Sequence, residues 1–181
     1  MVRVALTGTP GVGKTTVGGA AAAQSWRVVD VKAWARAEGC VVGRDEEDEA
    51  DVIDVEALAA RMPPDDGSRV LYEGHLSHLL GVDVAWVVRC DPGILRERLR
   101  QRGYPPAKVA ENVEAEALDI ILQEALEHVP SVIQRDGSRR TPEQLYAAFA
   151  EGLVDAPKGC RRKARHDLEE VDWSHHLGFP G

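Results

Sequence analysis

The sequence predicts an α/β fold, a parallel sheet of short apolar strands covered by helices on both faces. Three observations carry this. Short apolar runs alternate along the chain with helical stretches, the pattern that places parallel strands between covering helices. The clearest run, Val84 to Val88, is continuously apolar between Asp83 and Arg89, as a strand covered on both sides must be. The first run ends directly in a glycine-rich turn that opens a helix.

In chain order, Val2 to Leu6 is a buried strand that stops at Thr7-Gly8, and an alanine-rich helix runs from Lys14 to about Gln24. Trp26 to Val29 reads as a second strand, and Val70-Leu71-Tyr72, after Gly67-Ser68, as a third. Val84 to Val88 is the fourth. A helix over Pro92 to Arg102 has Asp91 as its cap and Pro92 in its first turn. A long amphipathic helix is expected over Pro105 to Glu127, and a weaker strand signal at Ser131-Val132-Ile133. Thr141-Pro142-Glu143 opens the last helix with a capping residue followed by proline. Residues 44–51, R-D-E-E-D-E-A-D, form an acidic run within a helical and loop region.

The 181 residues suit one domain. No apolar stretch approaches the roughly 18–20 residues of a membrane span, and the start does not read as a signal peptide. Cys40, Cys90 and Cys160, odd in number and widely spaced, argue against a disulfide framework and point to a reducing, cytoplasmic setting. Thirty Asp and Glu against 22 Lys and Arg, a net charge of -8, disfavour a protein that coats nucleic acid by bulk charge.

The chemistry centres on Gly8-Thr9-Pro10-Gly11-Val12-Gly13-Lys14-Thr15, a full match to G-x-x-x-x-G-K-[ST] between a strand and a helix. The glycines let the backbone aim its N–H groups inward, and the following helix adds its positive dipole end, so phosphate oxygens are cradled by main chain. Lys14 is expected to reach the β- and γ-phosphates, and the Thr15 hydroxyl to ligate Mg²⁺.

Such a site needs an acid that organises metal or water. Glu73, at the carboxyl end of the third strand, faces the crevice where these sheets bind ligands, either to hold Mg²⁺ through water or to orient a water for attack. His75, two residues on, exchanges protons near neutral pH. Arg96, Arg98, Arg100 and Arg102 crowd one helix, with 98 and 102 on one face and 96 and 100 on a neighbouring one. Two of the four read as solvated surface. Arg102, beside Gly103-Tyr104-Pro105, is best placed to swing with a mobile loop and neutralise a moving phosphoryl group.

As a set, Gly8 to Thr16, the 45–54 stretch D-E-E-D-E-A-D-V-I-D, Leu71-Tyr72-Glu73-Gly74-His75, and the 89–104 run ending R-L-R-Q-R-G-Y, followed by E-N-V-E-A-E at 111–116, resemble a known family. It is that of the small adenylate-kinase relatives of archaea and eukaryotic nuclei, which includes the coilin-interacting nuclear ATPase. The resemblance covers about residues 1–153. It implies a P-loop kinase fold of the nucleoside monophosphate kinase type, with a five-stranded parallel sheet, a monophosphate-binding insertion near 30–53 and a short lid near 103–113. It also implies ATP and Mg²⁺ as cofactors and broad monophosphate kinase activity (ATP and AMP to two ADP). ATPase activity and a role in late maturation of the small ribosomal subunit and its rRNA follow from it as well. Its implied partners are AMP or another nucleoside monophosphate and, transiently, a small-subunit ribosomal protein of the S11 type.

By the same resemblance Gly11, Gly13, Lys14, Thr15 and Thr16 contact ATP and Mg²⁺, Tyr104 touches the nucleotide from the lid, and Glu73 and His75 fall on an acid-x-His pair. The nuclear members carry Asp where this chain has Glu73, one methylene longer. Orthodox adenylate kinases carry Asp-Gly-x-Pro-Arg after this strand, where the arginine grips the monophosphate; Glu73-Gly74-His75-Leu76-Ser77 has no such arginine.

The alternative reading is a small-metabolite P-loop kinase of the shikimate or gluconate type, against which the 89–104 signature speaks. Residues 154–181 are expected to form a polar, flexible tail that Trp173 could dock back on the domain. The tail's basic residues, Lys158 to Arg165, are candidates for direct RNA contact. Cys160, His166, His175 and His176 fit no zinc spacing.

Overall fold

The computed structural model describes residues 2–45, 50–64, 66–154, 165–173 and 176. Its core is a six-stranded parallel sheet formed by β1 (Arg3–Thr7), β2 (Arg27–Asp30), β5 (Val70–Glu73), β6 (Val84–Arg89), β7 (Ser131–Asp136) and β8 (Arg165–Leu168). The spatial order is β2-β5-β1-β6-β7-β8. β3 (Val41–Asp45) and β4 (Ala50–Ile53) form a separate antiparallel hairpin.

Helices cover both faces, and the pleat decides which side chains meet which helices. Val4, Leu6, Trp86, Val88 and Ile133 point to one side, against α1 (Lys14–Ala22), α4 (Pro92–Gln101), α5 (Pro106–Ala117) and α7 (Pro142–Val154). Ala5, Tyr72, Ala85, Val87 and Val132 point to the other, where α2 (Val31–Ala37), α3 (Val55–Ala59) and α6 (Ile120–His128) pack. β6 is buried at all six positions, as its continuous apolar run requires. Trp86 at its centre stacks on Phe149 at 5.1 Å between ring centroids and meets Trp26 at 5.5 Å.

The expected caps form. Asp91 accepts from the N–H groups of Gly93 and Ile94 at 2.8 and 3.1 Å, with Pro92 opening α4. Thr141 and Gln144 cap α7 reciprocally, Gln144 N–H donating to the Thr141 hydroxyl and Thr141 N–H to Gln144 Oε1.

Four expectations need correction. The sheet has six strands, because β8 from the C-terminal region pairs with β7 in register from Ser131↔Arg165 to Gln134↔Leu168. The expected flexible tail is therefore in part an edge strand: Arg135 ion-pairs with Asp167, and the Glu169 N–H donates to Gln134 O at 3.3 Å. The basic run 158–164 lies outside the described residues, as do Cys160 and His175. The single helix expected over 105–127 is two, broken at Asp119, whose φ of 60° is left-handed and whose carboxylate is drawn into an ion pair with Arg89. The acidic region is a hairpin on its described flanks; 46–49 lie outside the described residues. Among the described residues no helix is long and apolar enough to cross a membrane, and no group of His, Cys, Asp and Glu is arranged to hold a metal ion by itself.

Candidate functional site

The site lies at the carboxyl ends of β1 and β5, where the sheet delivers the 8–15 loop and Glu73 side by side. The loop's shape depends on its glycines. Gly8 has φ +138° and a Cβ there would sit 2.4 Å from the Val88 carbonyl oxygen, while Gly13 caps α1 in the left-handed region at φ +112°. α1 then begins at Lys14, so its unpaired N–H groups and dipole end face the loop's hollow.

Lys14 Nζ donates to the carbonyls of Gly8 at 2.8 Å and Thr9 at 3.1 Å, folding the ammonium back over the loop. Its pKa is lowered to about 8, chiefly by burial and further by the Arg102 charge, against the opposing pull of Glu73 and Glu116. The Thr15 hydroxyl donates to Glu73 Oε1 at 2.6 Å. Glu73 has room because Gly18 stands opposite, where a Cβ would lie 3.3 Å from Glu73 Oε2. A hydroxyl and a carboxylate meeting at the foot of a phosphate cradle are hard oxygen donors of the kind Mg²⁺ takes when it bridges protein and nucleotide, so the residues fit that ion.

His75 follows on the turn after β5 and is exposed. Its pKa is lowered to about 4, first by the protein shielding its ring and then by the charges of Lys14, His78 and Lys32. At neutral pH these influences favour the uncharged imidazole. The turn is fixed from beneath. The His75 carbonyl accepts from the Thr7 hydroxyl at 3.2 Å, and fully buried His78 stands 3.0 Å from Thr7 Oγ1 and 3.1 Å from Glu124 Oε2.

Beside the loop opens a cavity of about 400 Å³, lined by Gly11, Gly13, Thr16, Arg98, Arg102 and Arg140 among others. Arg98 is anchored, its Nη1 donating to Val12 O at 3.2 Å and its Nη2 to Ser138 O at 3.3 Å. Arg102 caps α4 and is exposed at the rim, its charge felt at Lys14. Tyr104 packs on the core against its neighbours and is not among the residues lining this cavity.

Below the loop lies an ionic network whose members carried no assigned role in the sequence. The Thr9 hydroxyl donates to Glu116 Oε2; Glu116 Oε1 accepts from Arg89 Nε at 2.8 Å and from the Cys90 N–H at 3.0 Å. Arg89 also donates to Glu116 O at 2.9 Å, to Gln134 Oε1 at 3.0 Å and to Asp119. Both members of the Arg89–Glu116 pair are 2% exposed. A buried carboxylate under a phosphate site is tolerable because Arg89 neutralises it and every oxygen has a donor. Arg89 and Glu116 stand within the quoted run and E-N-V-E-A-E; a charged residue ending an otherwise apolar central strand was the signal available.

Thus Lys14, Thr15 and Glu73 come together, Thr16 lines the adjoining cavity, His75 and Arg102 flank them, Arg98 was named only as part of the arginine cluster, and Gly137 and Arg140 were not anticipated. The last two sit on the loop after β7, the same end of the sheet as the phosphate loop.

Comparison with known proteins gives a consistent picture. The family profile described as AAA domain matches residues 4–119. The chain is 43% identical over 170 residues to a protein of Archaeoglobus fulgidus named "Putative adenylate kinase", covering 94% of this chain and 90% of the relative. A protein of the same name from Natronomonas pharaonis is 42% identical over 178 residues, 97% of this chain and all of the relative. Among solved structures, an unliganded sugar kinase from a Janibacter species superposes with TM-score 0.52 at 20% identity, over 87% of this chain and 96% of that one. That likeness shows the shared fold.

Proposed function

The chain belongs to the AAA domain family and, by sequence, to a group of archaeal proteins named for adenylate kinase, and from that premise we propose that it transfers the γ-phosphoryl group of ATP to a nucleoside monophosphate, AMP and ATP giving two ADP. The observation that carries this reading is the Thr15–Glu73 contact of 2.6 Å beneath the loop that holds Lys14. It supports the reading because it joins the residue proposed to organise the metal to the loop proposed to bind the phosphates.

The loop's N–H groups and Lys14 bind the β- and γ-phosphates, which requires the ammonium to leave the Gly8 and Thr9 carbonyls for phosphate oxygens. Thr15 and Glu73 would hold Mg²⁺, which when bound neutralises charge shared between the phosphates. The nucleoside end of ATP occupies the cavity between Arg98, Arg102 and Arg140. An ionised oxygen of the acceptor monophosphate attacks the γ-phosphorus while the bond to the β-phosphate oxygen breaks; no proton has to be removed. Arg102 stabilises the group in transit, and the protein's contribution is placement and charge.

The hairpin region near 30–53 is the proposed acceptor side and 103–113 the proposed lid, with Tyr104 closing on the nucleotide. When no acceptor is present, Glu73 or neutral His75 can orient a water, giving ATPase activity. A cytoplasmic role in maturing the small ribosomal subunit, through transient binding of an S11-type ribosomal protein, is supported by the sequence resemblance alone. Retention of that protein on this chain should fall when ATP is added; equal retention would remove the role.

The decisive assay couples ADP formation to a readout with Mg·ATP and a panel of monophosphates, gluconate and shikimate. AMP is expected to stimulate ADP production well above ATP alone. ADP formed at the same rate without AMP overturns the kinase reading, and stimulation by a sugar acid alone would replace it with the small-metabolite alternative.

A further inference from the structure

The segment 165–173 lies beyond the 4–119 stretch that the family profile matches, yet it touches two supports of the nucleotide site. Glu169 directly follows β8. Its carboxylate takes Arg140 in a two-pronged pair, Nη1 at 2.5 Å from Oε2 and Nη2 at 2.9 Å from Oε1, and also accepts the Asp136 N–H at 2.9 Å. Arg140 donates in turn to Asp136 O at 2.8 Å. These bonds close a ring around the loop from Asp136 to Arg140, and Gly137 and Arg140 of that loop form one wall of the cavity.

The second contact runs deeper. The Gln134 side chain donates to Glu169 O at 2.5 Å and accepts from Arg89 at 3.0 Å. Trp173 covers the Arg89 guanidinium at 4.8 Å from its ring centre. Arg89 holds Glu116, and Glu116 holds Thr9 of the phosphate loop. One short segment therefore fixes the wall on one side of the nucleotide cavity and the underside of the phosphate loop on the other.

We infer that residues 165–173 are a strap belonging to the nucleotide-binding machinery, with Glu169 the positioning residue that sets Arg140 and the 136–140 loop against a bound nucleoside triphosphate. The inference rests on the reading of the cavity as an ATP site. The Arg140–Glu169 pair is about a third exposed on each side, 35% and 30%. Such a pair adds little to global stability, but held in two-pronged geometry it determines where a guanidinium points. The strap's effect should accordingly appear in nucleotide affinity and not in the melting temperature.

The test is calorimetric titration of the full-length protein with Mg·ATP, without any acceptor. Glu169→Ala is expected to weaken binding about three- to tenfold with little change in Tm, and Glu169→Gln, which keeps the shape and one acceptor, to fall between it and wild type. In an Arg140→Ala background the Glu169→Ala change should have a much smaller further effect, since Glu169 acts mainly through Arg140 and only its bond to the Asp136 N–H remains to be lost. In turnover, KM for ATP should rise while kcat and KM for AMP hold. Unchanged or tighter binding by Glu169→Ala overturns the strap. So do losses that add fully to those of Arg140→Ala and track a falling Tm, for they mark a merely structural contact. Wild-type protein that fails to bind Mg·ATP at all overturns the nucleotide-site reading itself, a result distinct from either.

Discussion

Lys14 shows how one residue's surroundings set its working range. Burial and the nearby Arg102 bring its pKa to about 8 in the free protein. A lysine with a depressed pKa is charged below that value and loses its charge above it. Affinity for a polyphosphate, which favours the charged form, should therefore be constant at lower pH and decline as pH rises through about 8, by up to tenfold for each unit beyond. Titrating Mg·ATP affinity from pH 6.5 to 9.5 checks this. Lys14→Met should be weak and flat across the range, while a wild-type profile with no decline would mean that the ammonium is not the phosphate ligand. Glu73 makes a related point. Its side chain is long enough to meet the Thr15 hydroxyl directly, with Gly18 leaving the space.

At the scale of elements, β6 and α5 are joined by the Arg89–Glu116 pair, and their joint is also the floor of the phosphate loop. Arg89→Met leaves Glu116 as a desolvated charge and should cost about 3–5 kcal/mol, while Glu116→Leu should cost less because Arg89 keeps its ion pair with Asp119. The double variant should be markedly more stable than the sum of the two losses, because it removes both charges together. Chemical denaturation of the three variants measures it. Strict additivity would show that the two side chains do not compensate one another. The break at Asp119 belongs to the same joint: α5 and α6 together read as one amphipathic run, and the interruption comes from a distant guanidinium that captures Asp119 in a left-handed turn. Periodicity has no access to such a partner, so 105–127 reads as one helix from sequence alone.

Across the whole molecule, the two faces of the sheet are filled by different sets of side chains from the same strands, and Trp86 is the largest of them. It touches Trp26, Tyr146 and Phe149, which come from the β2 edge and from α7. Trp86→Ala should lower stability by about 3–5 kcal/mol through lost burial and a large void, while Trp86→Phe, which keeps a stacked ring on Phe149, should lose less. A thermal melt compares them, and equal losses would mean that neither the burial nor the stacking that a phenylalanine retains contributes to stability.

The features legible in the sequence are contiguous. The 8–15 motif lies within one strand–turn–helix unit, whose backbone is dictated by glycines and by the helix that follows, so its phosphate-binding shape is legible residue by residue. The caps at Asp91 and Thr141 and the buried run 84–88 are local in the same sense. The contacts set by strand order emerge only in the folded chain: Thr15 with Glu73 across 58 residues, Thr9 with Glu116 across 107, and Arg140 with Glu169 across 29. Local propensity favours each strand but is silent on its neighbour. β8 illustrates the consequence, since a polar four-residue segment carries no strand signal of its own and becomes one because β7 offers a free edge.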